Sequence, residues 1–272
     1  MTLKDVAAPA IRCARNGFGT SYTGALTMYD NSVERKMRLS EAFRKLYLKE
    51  DGSFYRFGEI QKNQEIADLL ENIAEQGVDY FYKGKVAKQI VDLINDRGGC
   101  FDVSDMESYE PKFREPVKTT YRGYEVAAFA PPSGGCALVE MLNILENYDV
   151  RSMGHNTAAS IHALTESMKL GFADRSVALG DPDFVNVDVE RLTSKKFAHE
   201  RFTLAGEKAG EFASADGIEA KQYPGNTSHF VVMDKDGNAF SQTQTIRDWF
   251  GCGIVVDGLG FVLNNAMSDF SA

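Results

Sequence analysis

Asn226-Thr227-Ser228-His229 leads into Phe230-Val231-Val232-Met233, then Asp234-Lys235-Asp236-Gly237-Asn238, then the run from Ala239 to Ile246. The first run after His229 is β-branched and aromatic, the next carries turn chemistry, and the last returns as an extended segment. Together they predict a β-hairpin. With Met233 roughly opposite Asn238, counting back along both arms brings Thr227 to Gln244 and Thr245, within one residue of register. Alternation with a period of two puts Ser241, Thr243 and Thr245 on one face, a row of hydroxyls that is uncommon on a side turned to a core.

A hydroxyl is a weak nucleophile at neutral pH, and no Ser/His/Asp spacing in the chain supplies it with a base. An N-terminal route remains. If the Asn226–Thr227 bond is cut, Thr227 gains a free α-amine with a pKa of roughly 7.7–8.0, able to accept the proton of its own hydroxyl. The cut is within reach of Thr227 itself, its oxygen attacking the carbonyl of Asn226, with Gly225 allowing the backbone a strained conformation. The plain alternative is a threonine at a loop-to-strand junction that only satisfies backbone groups.

Ordered motifs extend from this point in both directions. Downstream are Thr243-Gln244-Thr245-Ile246, Phe250-Gly251-Cys252-Gly253-Ile254-Val255 and Leu263-Asn264-Asn265-Ala266-Met267-Ser268-Asp269-Phe270-Ser271. Upstream are Arg114-Glu115-Pro116, Tyr121-Arg122-Gly123-Tyr124, Pro131-Pro132-Ser133-Gly134-Gly135, Phe172-Ala173-Asp174-Arg175 and Gly180-Asp181-Pro182. In this order they resemble the gamma-glutamyltransferases, almost end to end. The resemblance divides the chain into a large-subunit-like segment, 1–226, and the start of a small-subunit-like segment, 227–272, both from one precursor. It implies a four-layer αββα sandwich of the N-terminal-nucleophile hydrolase type, incomplete within these residues. Thr227 then attacks a γ-glutamyl amide such as that of glutathione, and water or an acceptor amine resolves the acyl-enzyme. Thr245 matches the position whose hydroxyl bonds the nucleophile, and Asp269 the carboxylate that takes the substrate α-ammonium. No metal or organic cofactor is implied.

Two departures stand at the substrate end. Where the family commonly has an asparagine and a glutamine, this chain has Arg247 and Ala266. Arginine carries a fixed cation that repels an ammonium and welcomes a carboxylate, which raises the alternative of a glutaryl or cephalosporin acylase-like amidase. The family also places a substrate-binding arginine upstream and its oxyanion donors downstream of the regions matched here. A tetrahedral intermediate without such donors loses about 2.7–4 kcal/mol for each one. These 272 residues alone are therefore expected to turn over little. An unprocessed, silent relative or an interaction module is the competing class.

Composition narrows the partners. A net charge of −9 and no basic cluster argue against a nucleic-acid surface and for small-molecule or peptide partners. No run of about 18 apolar residues spans a membrane. Met1-Thr2-Leu3-Lys4-Asp5 lacks the apolar stretch of a secretory signal, so the compartment stays open, the family resemblance favouring a periplasmic or secreted protein. Cys13, Cys100, Cys136 and Cys252 show no metal spacing and read as unpaired packing groups.

Along the chain, helical periodicity predicts helices ending at Asn16-Gly17, over Ser40–Tyr47, over Ile60–Gln76, over Val86–Arg97 and over Thr157–Ala173. Ser104-Asp105-Met106-Glu107 has the form of a capping box. Val117–Thr120 and Tyr124–Phe129 read as strands, and Gly134-Gly135 open a helix carrying Leu138, Leu142 and Leu145. His162 and Glu166 stand one turn apart without further ligands, a polar pair rather than a metal site. Residues 183–222 read as a helix and a solvent-exposed connector broken by Gly206, Gly210 and Gly217. Ile254–Val256 and Phe261–Leu263 flank a turn. With helices first and strands bunched at the end, the class is α+β.

Overall fold

The computed structural model describes residues 1–214 and 227–269, and the chain forms two compact units. The first joins Met1–Glu110 to the stretch after Pro224; the second is Pro111–Tyr223.

The first unit begins with α1 (Leu3–Asn16), β1 (Phe18–Gly19), α2 (Tyr22–Thr27), α3 (Asn31–Leu39) and α4 (Glu41–Tyr47). The stop expected at Asn16-Gly17 is real: Gly17 has φ 102°, and a Cβ there would lie 2.3 Å from Ile60 Cγ2. Only glycine lets the two stretches approach this closely. The helix expected over Ile60–Gln76 is shorter. Ile60–Gln61 form β2, paired antiparallel with β1, and α5 spans Gln64–Gln76. Asn63 makes the break, its side chain accepting the Ile66 N–H at 3.0 Å while its amide donates to the Gly260 carbonyl at 2.7 Å.

After α6 (Asp79–Tyr82) and α7 (Gly84–Asp96) comes α8 (Val103–Glu107). Its capping box lies two residues earlier than Ser104 suggested. Asp102 is the cap and Asp105 its reciprocal partner, because a carboxylate accepts the orphan N–H groups at least as well as a hydroxyl.

In the second unit, β3 (Val117–Tyr121) and β4 (Tyr124–Ala128) form a hairpin closed by Arg122 and Gly123, both at positive φ. That pair matches the mirror-image turn that right-twisted strands favour. Then follow α9 (Gly135–Leu145), α10 (Val150–Met153), α11 (Ala158–Ala178), α12 (Val189–Thr193) and α13 (Lys195–Phe202). On α9 the buried face is Cys136, Val139, Asn143 and Ile144, whereas Leu138 is 48% exposed. Leu142 and Leu145 are half-buried, and the interior accepts polar side chains that find partners. Asn143, for example, meets Thr119 and donates to the Thr193 carbonyl.

The most demanding of these polar groups is a carboxylate pair. Glu140 of α9 and Asp174 of α11 are each 1% exposed, and Arg201 of α13 contacts Asp174 through Nε–Oδ2 at 2.6 Å. Burial, then the hydrogen bond and charge of Asp174, push the Glu140 carboxyl up to about 9. Glu140 therefore holds a proton at neutral pH, which leaves Asp174 and Arg201 as a compensated pair.

The connector is exposed, as expected, but anchored at two points. Phe212 packs against Ile144, Leu170 and Ala198, and Ser214 is buried. Most of the residues between α13 and Ser214 are solvent-exposed, as expected, and the stretch is held at Phe212 and Ser214; Gly217 lies outside the described residues.

The chain then returns to the first unit with β5 (Ser228–Met233), β6 (Ala239–Gln244), β7 (Val255–Val256), β8 (Phe261–Val262) and a single 3₁₀ turn, Ala266–Asp269. β5 pairs with β6 and β7 with β8. Val256 and Leu259 sit among Leu69, Val86, Ile90, Val91 and Met106, while Val255 joins Met28, Val33, Met37 and Phe43. The class is α+β, as expected. Of the cysteines, Cys136 is buried and Cys252 intermediate, but Cys13 and Cys100 are exposed, so only the first two pack.

Glu140 yields a signed prediction. Its folded pKa is raised above the ordinary value of 4.5, so its stabilising share is complete below pH 4.5 and is lost as pH rises toward about 9. Glu140→Gln keeps the shape without the titration. Thermal melts should fall between pH 5 and 9 in the wild type and fall less in the variant; equal slopes would contradict the assignment.

Candidate active site

The hairpin of β5 and β6 runs from Ser228 opposite Gln244 to Met233 opposite Ala239. Continuing the ladder by one pair sets Thr227 opposite Thr245. The register is one residue from the count begun at Asn238, because Asp234 takes Asn238 for the turn. Its carboxylate accepts from the Asn238 amide N–H at 2.9 Å and from Nδ2 at 2.8 Å, and Gly237 closes the bend at φ 83°.

The hydroxyl row is present, and His229 reads it. Nδ1 lies 2.8 Å from Thr243 Oγ1 and Nε2 3.2 Å from Ser241 Oγ, so the ring lies along the face toward the turn. The imidazole is thus engaged by residues 241 and 243, further along the ladder than Thr245. Thr245 closes a short turn of its own, its Oγ1 accepting the Arg247 N–H at 2.8 Å.

Beyond β6 the chain bends through residues 246–253. Arg247 and Phe250 have φ 76° and 56°, left-handed values that only tight surroundings impose on such residues. Gly251, at φ 49°, could carry no Cβ, which would stand 2.1 Å from the Leu263 carbonyl. The bend is pinned to the downstream run by Asn265. Its N–H donates to the Ile246 carbonyl at 3.2 Å, its Oδ1 accepts the Asp248 N–H at 3.1 Å, and its Nδ2 donates to Asp248 Oδ2 at 2.9 Å. Asp248 also receives Arg247 Nη1 at 2.7 Å. The Asn265 hydrogen bond, then that of Arg247 and its charge, hold the Asp248 carboxyl below the ordinary range. From α3, Lys36 donates to the Trp249 carbonyl at 2.5 Å, and burial lowers its ammonium pKa.

A cavity of about 660 Å³ opens at this end of the hairpin. Thr227, Thr245, Arg247 and Asp248 line one side, and Ser21, Thr23 and Gly24 of the α2 region, with Tyr47 and Trp249, the others. Burial pushes the Tyr47 phenol up to about 12, which keeps it a neutral donor. The cavity therefore combines a hydroxyl pair, an ion pair and aromatic walls.

The structure thus brings Thr227, Thr245 and Arg247 together around one cavity. Asn226 lies outside the described residues, and so does the side chain of Asp269, whose backbone ends the 3₁₀ turn anchored at Asn265 by the Ser268 N–H at 3.0 Å. Sequence reasoning missed Asn265, although it stands inside the Leu263–Ser271 motif, and missed the α2 wall, whose only signal is Ser21 before a small-residue run. Among the described residues no cluster of three or more potential ligands could hold a metal ion, and no helix is long and apolar enough to cross a membrane.

All of residues 1–272 match the family model described as gamma-glutamyltranspeptidase. The glutathione hydrolase proenzyme of Escherichia coli K12 is 38% identical over 280 residues, covering 100% of this chain and 47% of that protein. The acylase ACY 1 proenzyme of Pseudomonas sp. strain SE83 is 35% identical, covering 99% of this chain and 48% of that protein. Among solved structures, the cephalosporin acylase of Bacillus halodurans superposes with TM-score 0.85 at 29% identity, over 100% of this chain and 49% of that one. The gamma-glutamyltranspeptidase of Helicobacter pylori gives 0.71 at 32%, over 81% of this chain and 62% of that one. The chain spans about half the length of the curated relatives it matches.

Asn265→Ala should release the bend. Loss of the two side-chain bonds to Asp248, with the backbone bond to Ile246 retained, predicts about 1–3 kcal/mol of destabilisation in chemical denaturation and a rise of the Asp248 pKa toward the ordinary carboxylate value by NMR. An unshifted Asp248 titration would show that Asn265 does not hold it.

Proposed function

Because the chain belongs to the gamma-glutamyltranspeptidase family, we propose that it forms the nucleophile-bearing part of an enzyme that transfers or hydrolyses γ-glutamyl amides, glutathione among them. The observation that carries this reading is Thr227 set opposite Thr245 on the wall of one cavity.

The chemistry begins with maturation. Thr227 Oγ attacks the Asn226 carbonyl carbon, the Asn226–Thr227 C–N bond breaks, and an ester forms with release of the Thr227 amine. Water then hydrolyses the ester, leaving a carboxylate on Asn226 and a free hydroxyl and amine on Thr227. The large-subunit-like 1–226 and the small-subunit-like 227–272 are thus two pieces of one precursor. In turnover, the α-amine accepts the hydroxyl proton while Oγ attacks the γ-carbonyl of the donor. The leaving amine takes a proton, and water or an acceptor amine later cleaves the acyl ester. Thr245 donates its O–H to the nucleophile oxygen, and Asp269 takes the donor's α-ammonium in a charge-assisted contact.

A second reading concerns the acyl group. Arg247 lines the cavity where an uncharged side chain is usual in the family, and relatives named as acylases stand beside those named as glutathione hydrolases. Its guanidinium, steadied by Asp248, suits a carboxylate at the far end of the acyl chain, as in a glutaryl group.

Three outcomes test these readings on the full-length protein. Intact-mass measurement should find two pieces divided before Thr227 in the wild type and one in Thr227→Ala; a single wild-type chain that is nevertheless active excludes the N-terminal nucleophile. The pH profile of kcat/KM should rise through roughly 7.7–8.0 as the amine loses its proton. Efficient hydrolysis of γ-glutamyl anilides with none of glutaryl anilides would remove the second reading.

A further inference from the structure

Several polar side chains on the cavity wall are already engaged within the protein. Ser21 Oγ accepts the Gly24 N–H at 2.9 Å as the cap of α2, and Thr27 Oγ1 donates to the Thr23 carbonyl at 2.8 Å. Asp248 is held by Asn265 and Arg247. Tyr47 differs from these: it lines the same cavity, yet its hydroxyl makes no hydrogen bond among the described residues.

The phenol is nevertheless held in place. Tyr47 ends α4, and its ring stands 4.8 Å from that of Phe43 and 4.6 Å from that of Phe250, the latter edge to face. It packs as a half-buried member against the cluster of Met28, Val33, Met37, Phe43 and Val255. Packing of this kind needs only the ring, and both aromatic neighbours are phenylalanines. The hydroxyl adds nothing to the apolar contacts and costs solvation as the ring is withdrawn from water. Because burial pushes its pKa up to about 12, it stays a neutral O–H donor at any pH where an amide would be processed. A neutral donor, fixed by packing and without a protein partner, suits an acceptor oxygen of a ligand.

The wall around it selects the kind of oxygen. Phe250, which touches Tyr47, lies three residues beyond Arg247 on the same bend, so the phenol stands beside the wall that carries the guanidinium. A cation on that wall favours an anionic acceptor, and a hydrogen bond to an ionised oxygen is roughly twice as strong as one between neutral groups.

We propose that Tyr47 is a specificity-determining residue of this cavity, its hydroxyl donating to a carboxylate at the far end of the acyl chain. Resting on the second reading of the acyl group given above, it assigns the donor that accompanies Arg247. Tyr47 then meets the distal end of the substrate and not the reacting carbonyl, so it sets KM and leaves kcat.

Tyr47→Phe removes one oxygen and keeps both ring contacts, so the melting temperature should be little changed. Glutarate and butyrate, which differ only by the second carboxylate, are the probes, titrated into full-length protein by calorimetry. The wild type should bind glutarate and Tyr47→Phe should bind it about tenfold more weakly, with butyrate binding the same in both. No binding of glutarate to the wild type, equal glutarate affinity in the two proteins, or an equal loss for butyrate would overturn the assignment. Turnover is read separately: for a glutaryl anilide, KM should rise about tenfold in Tyr47→Phe with kcat within about twofold. Glutarate held through Tyr47 by a protein that hydrolyses neither glutaryl nor γ-glutamyl anilides would remove the proposed function and leave the binding assignment standing.

Discussion

The packing of Val255, Val256 and Leu259 among helices from the first hundred residues is the constraint on which the site depends. These residues follow Thr227 in the chain, yet Val256 is fully buried against α7, and Val255 against α3 and α4. Each such side chain contributes roughly 1.5–3 kcal/mol by leaving water. A break before Thr227 therefore cuts the backbone of a unit whose core is already shared across the break. Hydrophobic burial of this kind does not need a peptide bond to persist, so a cut there would leave the core of this unit in place.

From this anchor the site is built outward by progressively more polar contacts. β7 and β8 fix the bend at 246–253, Asn265 pins the bend through Asp248, and Thr245 closes onto the Arg247 amide. The hairpin comes last and is the least buried part, with Val231, Val232 and Met233 all more than half exposed. The placement of Thr227 opposite Thr245 is inherited from the ladder and the bend together. Asp248 takes the Arg247 guanidinium directly and also feels the charge of Lys36.

Much of this was legible in the residues. Alternating hydrophobicity with Asp-Lys-Asp-Gly-Asn between two extended runs specifies a hairpin by local physics alone, and the ladder followed to within one residue. The helices at α1, α4, α5, α7 and α11 were visible because their apolar periodicity and Gly or Ser boundaries agree. The misses have a common cause in long-range contact. β2 exists because Gly17 admits Ile60 and because Asn63 is needed by Gly260, a partner almost two hundred residues away in sequence. The inward face of α9 depends on Glu140 finding Asp174 and Arg201, and the connector's anchorage on Glu166 finding Gly210. Asn265 sat inside a recognised motif, but its role as the pin of Asp248 appears only once the bend is folded.

The central claim is that Thr227 acts as an acyl carrier through its own amine. An electrophilic γ-glutamyl analogue incubated with the full-length protein, followed by peptide mapping, addresses it directly. The account predicts a single adduct on the hydroxyl oxygen of Thr227, in a peptide that begins at that residue with a free amine. Labelling of another side chain, or of Thr227 still joined to Asn226, at a rate matching inactivation would contradict it.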